Sequence, residues 1–169
     1  MEYALSFAET GHLCIATLHA NNANQAIDRI MHLVPKEKHG KLLFDLSLNL
    51  RAIVAQQLIP VPDGTRRIAA IEVLLNSPLV ADLIKRGEID EVKAVMSKSR
   101  ELGMQTFDQA LYDLYQRSQI SYADALHHAD SPNTSARRRN RRAASYAESA
   151  SAHRQRSRAA SATGKDRSG

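Results

Sequence analysis

A chain of 169 residues has room for one ordinary domain and a tail, and its charge is divided unevenly along that length. Residues 1–133 carry 13 Lys and Arg against 16 Asp and Glu, a balance of −3, whereas residues 134–169 carry 10 against 2, a balance of +8, so the basic character belongs to the tail. One cysteine excludes a disulfide framework and suits a reducing compartment, no apolar run approaches the roughly 18 to 20 residues of a membrane helix, and the opening MEYALSFAET lacks the basic-then-apolar layout of a signal peptide.

In chain order, residues 1–9 read as a helix with Met1, Ala4, Leu5 and Ala8 on one face and Gly11 placed to end it. Leu13, Cys14, Ile15, Ala16 and Leu18 read as a short strand buried on both faces, of the kind found inside a parallel sheet. His12 stands before that run and His19 after it. A histidine at the C-terminal end of a parallel strand, just ahead of a helix, lies where open α/β sheets take their ligands. A lone histidine beside a core strand is nonetheless more often a packed residue than a reacting one. The His-x6-His spacing, with the single Cys14 in mid-strand, fits no common zinc pattern, so no metal site is expected.

Asn21 or Asn22 can cap the next helix, whose Ala23, Ala26, Ile27, Ile30, Met31 and Val34 share a face, and Pro35 stops it. Residues 36–49 read as a further helix with Leu42, Leu43, Leu46 and Leu50 as its core stripe. Lys36, Lys38 and Lys41 at its start oppose the helix dipole; they read as a solvated face, with an acidic partner surface as the alternative.

Residues 52–59 and 66–75 read as strands joined by a Pro62-Asp63-Gly64 turn, with Val54, Ile68, Ile71, Val73 and Leu74 as buried content. Arg51 sits at the junction into the first strand, and Arg66 and Arg67 follow the turn. An arginine can reach a nucleotide held by a neighbouring subunit. For each of the three, a surface residue paired with a nearby carboxylate is the simpler reading. Glu72 lies among apolar neighbours in the second strand, where a salt bridge or subunit contact is expected.

The remainder to residue 133 reads as helical. Ser77-Pro78 opens a helix with Leu79, Val80, Leu83 and Ile84 as its stripe, closed by Gly87. Ile89, Val92, Val95 and Met96 form the next stripe. After Gly103, Thr106 and Gln109 have capping-box spacing ahead of Phe107, Ala110, Leu111, Leu114 and Tyr115. Ser121 can cap a last short helix, and the adjacent His127 and His128 should point to different sides of it. From Thr134 the Arg/Ser/Ala-rich composition predicts disorder. Its charge alone could attract nucleic acid or an acidic membrane surface, but without stacking aromatics beyond Tyr146 no specific nucleic-acid site is expected.

The run TGHLCIATLHANNANQAIDRI resembles the histidine box of the secretion-type ATPases that drive type II secretion and type IV pili. LSLNLRAIVAQQLIP, RRIAAIEVLLNSPLVADLI and ELGMQTFDQALYDLY agree with the same family in the same order, and the resemblance covers about residues 1–133. It is strongest to the twitching-motility (pilus-retraction) branch, the PilT/PilU group. The run PLVADLIKRG departs from the Ala-Ile-Arg-type motif of the main retraction ATPase and favours the PilU-like side.

The resemblance implies an α/β fold: the C-terminal part of a RecA-like P-loop NTPase core with its histidine box over residues 1–76, an all-α C-terminal subdomain over 77–133, and a disordered basic tail over 134–169. It implies a hexameric motor using ATP and Mg2+ at the cytoplasmic face of the bacterial inner membrane, beside a pilus platform protein. Thr10 and His19 would contact nucleotide, His12 and His19 would take part in catalysis, and Arg51, Arg66 or Arg67 would reach across subunits. Within the 169 residues, however, no G-x-x-x-x-G-K-[ST] occurs and no glutamate-bearing strand precedes the first helix. The chain is therefore expected to be the C-terminal part of such a motor and to turn over no ATP alone. The alternatives are a non-enzymatic module that joins full-length pilus ATPase rings, and a binder of nucleic acid or membrane surface through the tail.

Overall fold

The computed structural model describes residues 2–130, so residues 134–169, expected to be disordered, lie outside the described residues. Seven α-helices and one hairpin follow in the order α1 (Glu2–Glu9), α2 (Ala23–His32), α3 (His39–Asn49), β1 (Ala52–Pro60), β2 (Arg67–Leu75), α4 (Pro78–Arg86), α5 (Ile89–Lys98), α6 (Phe107–Gln116) and α7 (Tyr122–His127). The elements from α1 to α7 belong to one unit, and of the second only Ala129 and Asp130 are described.

The caps form as their residue types dictate. Asn22 Oδ1 accepts from the Gln25 amide at 2.9 Å, and Ser77 accepts from the Val80 amide with Pro78 in the first turn. Gly87 takes φ 75° after Arg86, a conformation glycine adopts without a Cβ penalty. Thr106 and Gln109 close a full capping box, Thr106 Oγ1 accepting from the Gln109 amide and Gln109 Oε1 from the Thr106 amide. Residues 36–38 differ from the expected long helix: they form a separate 3-10 turn behind Pro35, and α3 proper begins at His39.

β1 and β2 pair antiparallel from Ala52↔Leu75 to Pro60↔Arg67. At the tip, the Thr65 amide and hydroxyl both donate to Asp63 Oδ1, at 3.0 and 2.8 Å. These bonds, aided by Arg66, hold the exposed Asp63 carboxyl below its ordinary value of 3.8. A depressed carboxyl favours the fold above its unfolded value, and that support is lost as pH falls through the folded value. An NMR titration of Asp63 should therefore give a midpoint below 3.8, and Thr65→Ala should return it toward 3.8; a midpoint at or above 3.8 in the native chain would contradict the turn geometry.

The apolar core is continuous across the middle of the chain. Ala23, Ile27 and Ile30 of α2 meet Leu42 and Leu46 of α3, Leu74 of β2, Val80, Leu83 and Ile84 of α4, and Ile89, Val92 and Met96 of α5. Leu5 of α1 packs against the same cluster. Asn76 Nδ2 donates to the Ser47 carbonyl at 2.9 Å and ties the end of β2 to the end of α3.

Three expectations are corrected. Leu13–Leu18 forms no strand: Leu13 is 79% and Ile15 87% exposed, and Cys14 is exposed as well. A doubly buried strand needs a partner for its amides and carbonyls on both edges, and among the described residues the only sheet is the β1–β2 pair. Val54 is 65% exposed because β1 buries one face only, its alternate residues facing outward. Leu79 is 54% exposed, outside the stripe that Val80, Leu83 and Ile84 bury.

Candidate functional site

The histidine box begins where α1 ends, and the way α1 ends places His12. The Gly11 amide donates to the Ala8 carbonyl at 3.0 Å and the His12 amide to the Phe7 carbonyl at 3.1 Å, the paired bonds of a Schellman stop with Gly11 at φ 89°. That stop sets the His12 ring edge-on to Phe7, with centroids 6.0 Å apart. Nothing lies within 4 Å of where a Gly11 Cβ would stand, so Gly11→Ala carries only the backbone penalty of a positive φ. It should lower stability by about 1 kcal/mol in urea titration; an unchanged midpoint would mean α1 ends differently.

Thr10 joins His12 to this stop. Its hydroxyl donates to the Phe7 carbonyl at 2.8 Å and lies 3.0 Å from His12 Nδ1. A hydroxyl has one proton, and the Phe7 carbonyl takes it. Nδ1–H of His12 therefore donates to Thr10 Oγ1. Neutral His12 then presents a bare Nε2, and only the imidazolium presents a second N–H toward an anion.

His19 stands apart. It is exposed, and among the described residues no hydrogen bond joins it to Thr10 or His12. It lies four residues before Ala23, the first residue of α2. The positive end of that helix is already engaged: the Ala23 amide donates to Glu72 Oε1 at 2.8 Å and the Gln25 amide to Asn22. An anion beside His19 would thus meet the imidazole rather than the first amide of α2.

The three arginines do not converge. Arg51 precedes β1, its carbonyl accepting from the Asn76 amide at 3.1 Å, while Arg66 and Arg67 lie at the other end of the hairpin. Nine residues of strand separate the two ends by roughly 26 Å, so one nucleotide cannot meet both. All three are exposed, and Arg66 lies near enough to Asp63 to help hold that carboxyl down, as a surface arginine beside a carboxylate would. His127 and His128 depart from expectation too. α7 ends at His127, so His128 turns back, its Nδ1 2.9 Å from the Asp124 carbonyl, and the two rings touch edge to face at 5.0 Å. Among the described residues no three His, Cys, Asp or Glu side chains gather as a metal site would require.

One residue makes long-range contacts that its sequence neighbours do not show. Glu72 is 2% exposed, and Oε2 also accepts from the Phe107 amide at 3.3 Å. Its carboxylate caps two helices, α2 and α6, at once. Its sequence signal is that Ala70, Glu72 and Leu74 share the core-facing side of β2, where a carboxylate must find strong donors.

These elements match known proteins. The family model described as Type II/IV secretion system protein matches residues 1–155.

The chain belongs to the type II/IV secretion system protein family.

Within that family it is 65% identical over 133 residues to the type IV pilus ATPase PilU of Pseudomonas aeruginosa, a match covering 79% of this chain and 35% of that protein. To the type IV pilus retraction ATPase PilT of the same organism it is 34% identical over 129 residues, covering 76% and 37%. A crystal structure of the pilus retraction motor PilT with bound ADP superposes with a TM-score of 0.68 at 34% identity, covering 78% of this chain and 36% of that one. The chain spans about a third of the length of the curated relatives it matches. The family, the PilT/PilU type and the α/β class read from the histidine box are borne out. No helix among the described residues of this family member is long and apolar enough to cross a membrane.

Proposed function

We propose that this chain supplies the histidine-box portion of the nucleotide site in a hexameric, PilU-like pilus-retraction ATPase. The observation that carries the reading is the Thr10–His12 pair, held ready at the end of α1 with Nδ1 already committed. In this reading His19, exposed and unbonded, donates a hydrogen bond to the γ-phosphate of ATP and registers its loss. Thr10 and His12 keep the start of the segment rigid, and protonated His12 adds a donor through Nε2. Arg51, or else the Arg66–Arg67 end of the hairpin, reaches a neighbouring subunit's nucleotide. Residues 1–76 belong to the ATPase core, and 77–133 to a helical subdomain.

The residues present fit a contact to a terminal phosphate but not the rest of the site. A P-loop's amides and lysine are missing from these 169 residues, and no cluster of carboxylates among the described ones suits Mg2+. The whole motor's ring, its platform partner and its place at the cytoplasmic face of the inner membrane enter by likeness to the relatives. The purified chain with Mg-ATP is expected to release phosphate no faster than buffer. Turnover that survives His19→Ala would indicate a different site and overturn the reading.

A second reading is supported by Leu13, Ile15, Val54 and Leu58, which leave apolar surface open. In it the chain adds to rings of full-length subunits without doing chemistry. Co-purification with a full-length PilU-type ATPase, together with a change in that ring's turnover but none with His19→Ala, would favour the module.

A further inference from the structure

We propose that Glu72 is a positioning residue that ties the His19 segment to helix α6 through one shared carboxylate. Oε1 holds the first amide of α2, Ala23, at 2.8 Å, and Oε2 holds the first amide of α6, Phe107, at 3.3 Å. Both helices present their positive ends to the same anion, which neither could replace with water, since Glu72, Ala23 and Phe107 are all buried. The α6 side is firmly indexed to the strand that carries Glu72. Val73 and Gln105 exchange backbone bonds of 2.8 and 2.9 Å, and Gln105 Nε2 donates to the Ile71 carbonyl at 2.9 Å. On the other side, His19 is only four residues from Ala23.

A carboxylate held by two donors is ordered by each for the other. Loosening the start of α6 removes the donor that orders Oε2, and a shifted Glu72 carboxylate slackens the start of α2 and the histidine ahead of it. Motion of the helical region thereby reaches the phosphate-facing end of the histidine box, and loss of a phosphate contact at His19 reaches α6 by the same route. This consequence rests on the nucleotide reading proposed above; the coupling itself does not.

The test is residue-resolved amide exchange on the 169-residue chain, native against Thr106→Ala, a change that removes the α6 capping box and leaves Glu72 in place. Exchange at Phe107 and at Ala23 should both quicken, by about tenfold, while Ile30 within α2 and Met96 within α5 hold within about twofold. Quickening at Phe107 alone, or equally at all four amides, overturns the proposal. In a Glu72→Gln background the Thr106→Ala effect should stop at Phe107; its persistence at Ala23 would assign the route to the core and overturn it too. The comparison in the native background decides the matter if Glu72→Gln does not fold. No nucleotide enters the measurement, so failure of the coupling and failure of the nucleotide reading stay distinguishable.

Discussion

Glu72→Ala is expected to destabilise the folded unit by about 3–5 kcal/mol, read as a lowered midpoint in urea titration. Removing the carboxylate leaves the Ala23 and Phe107 amides without their acceptor in a dry interior. An orphaned buried amide costs about 1–3 kcal/mol, and a hydrogen bond to a charged group contributes about 1.5–3. Truncation also leaves space between Ala70 and Leu74 on the buried face of β2. Glu72→Gln keeps the shape and one acceptor oxygen, but turns an NH2 toward one of the two amides; its loss should be smaller, about 2 kcal/mol. A change below about 1 kcal/mol for Glu72→Ala would mean that water or the backbone satisfies both helix ends, and the twin cap would be wrong.

His19→Ala is expected to separate function from stability. The side chain is exposed and holds nothing else in place, so the melting of the chain should move by no more than about 0.5 kcal/mol. In a chimera where residues 1–133 replace the matching segment of PilU, the same change should lower ATP turnover about a hundredfold, the usual consequence of deleting one donor from a developing phosphate charge. Turnover within about twofold of the parent chimera would remove His19 from the catalytic group. Gly11→Ala in that chimera would be informative beside it, because it disturbs Thr10 and His12 while leaving His19 itself intact.

Helix starts and stops were legible in the sequence because each is settled within a few residues. Asn22, Ser77 with Pro78, Thr106 with Gln109, and Ser121 all cap the helices they precede, and Gly11, Gly87 and Gly103 take the positive φ that ends a turn. A capping oxygen and the amide it accepts from are two or three residues apart, so no distant part of the chain can alter the outcome. The histidine box was legible for another reason: its ordered run of residues, with three further stretches, is specific to one family. Where Thr10 and His12 meet also follows from local rules, since a glycine stop fixes the residue after it.

What the sequence by itself determined is therefore the helices, their caps, the hairpin and the family. Only the tertiary structure decided which faces those elements bury and which residues meet. Leu13–Leu18 has the composition of a buried strand, yet strand formation depends on partners elsewhere, and among the described residues none is offered. Leu79 fits the periodicity of α4 but faces outward, because the rotation of a helix is set by what it packs against. Glu72 is the sharpest case. Its partners lie 49 residues before it and 35 after it, and a buried charge takes its role from whichever donors the fold brings within reach.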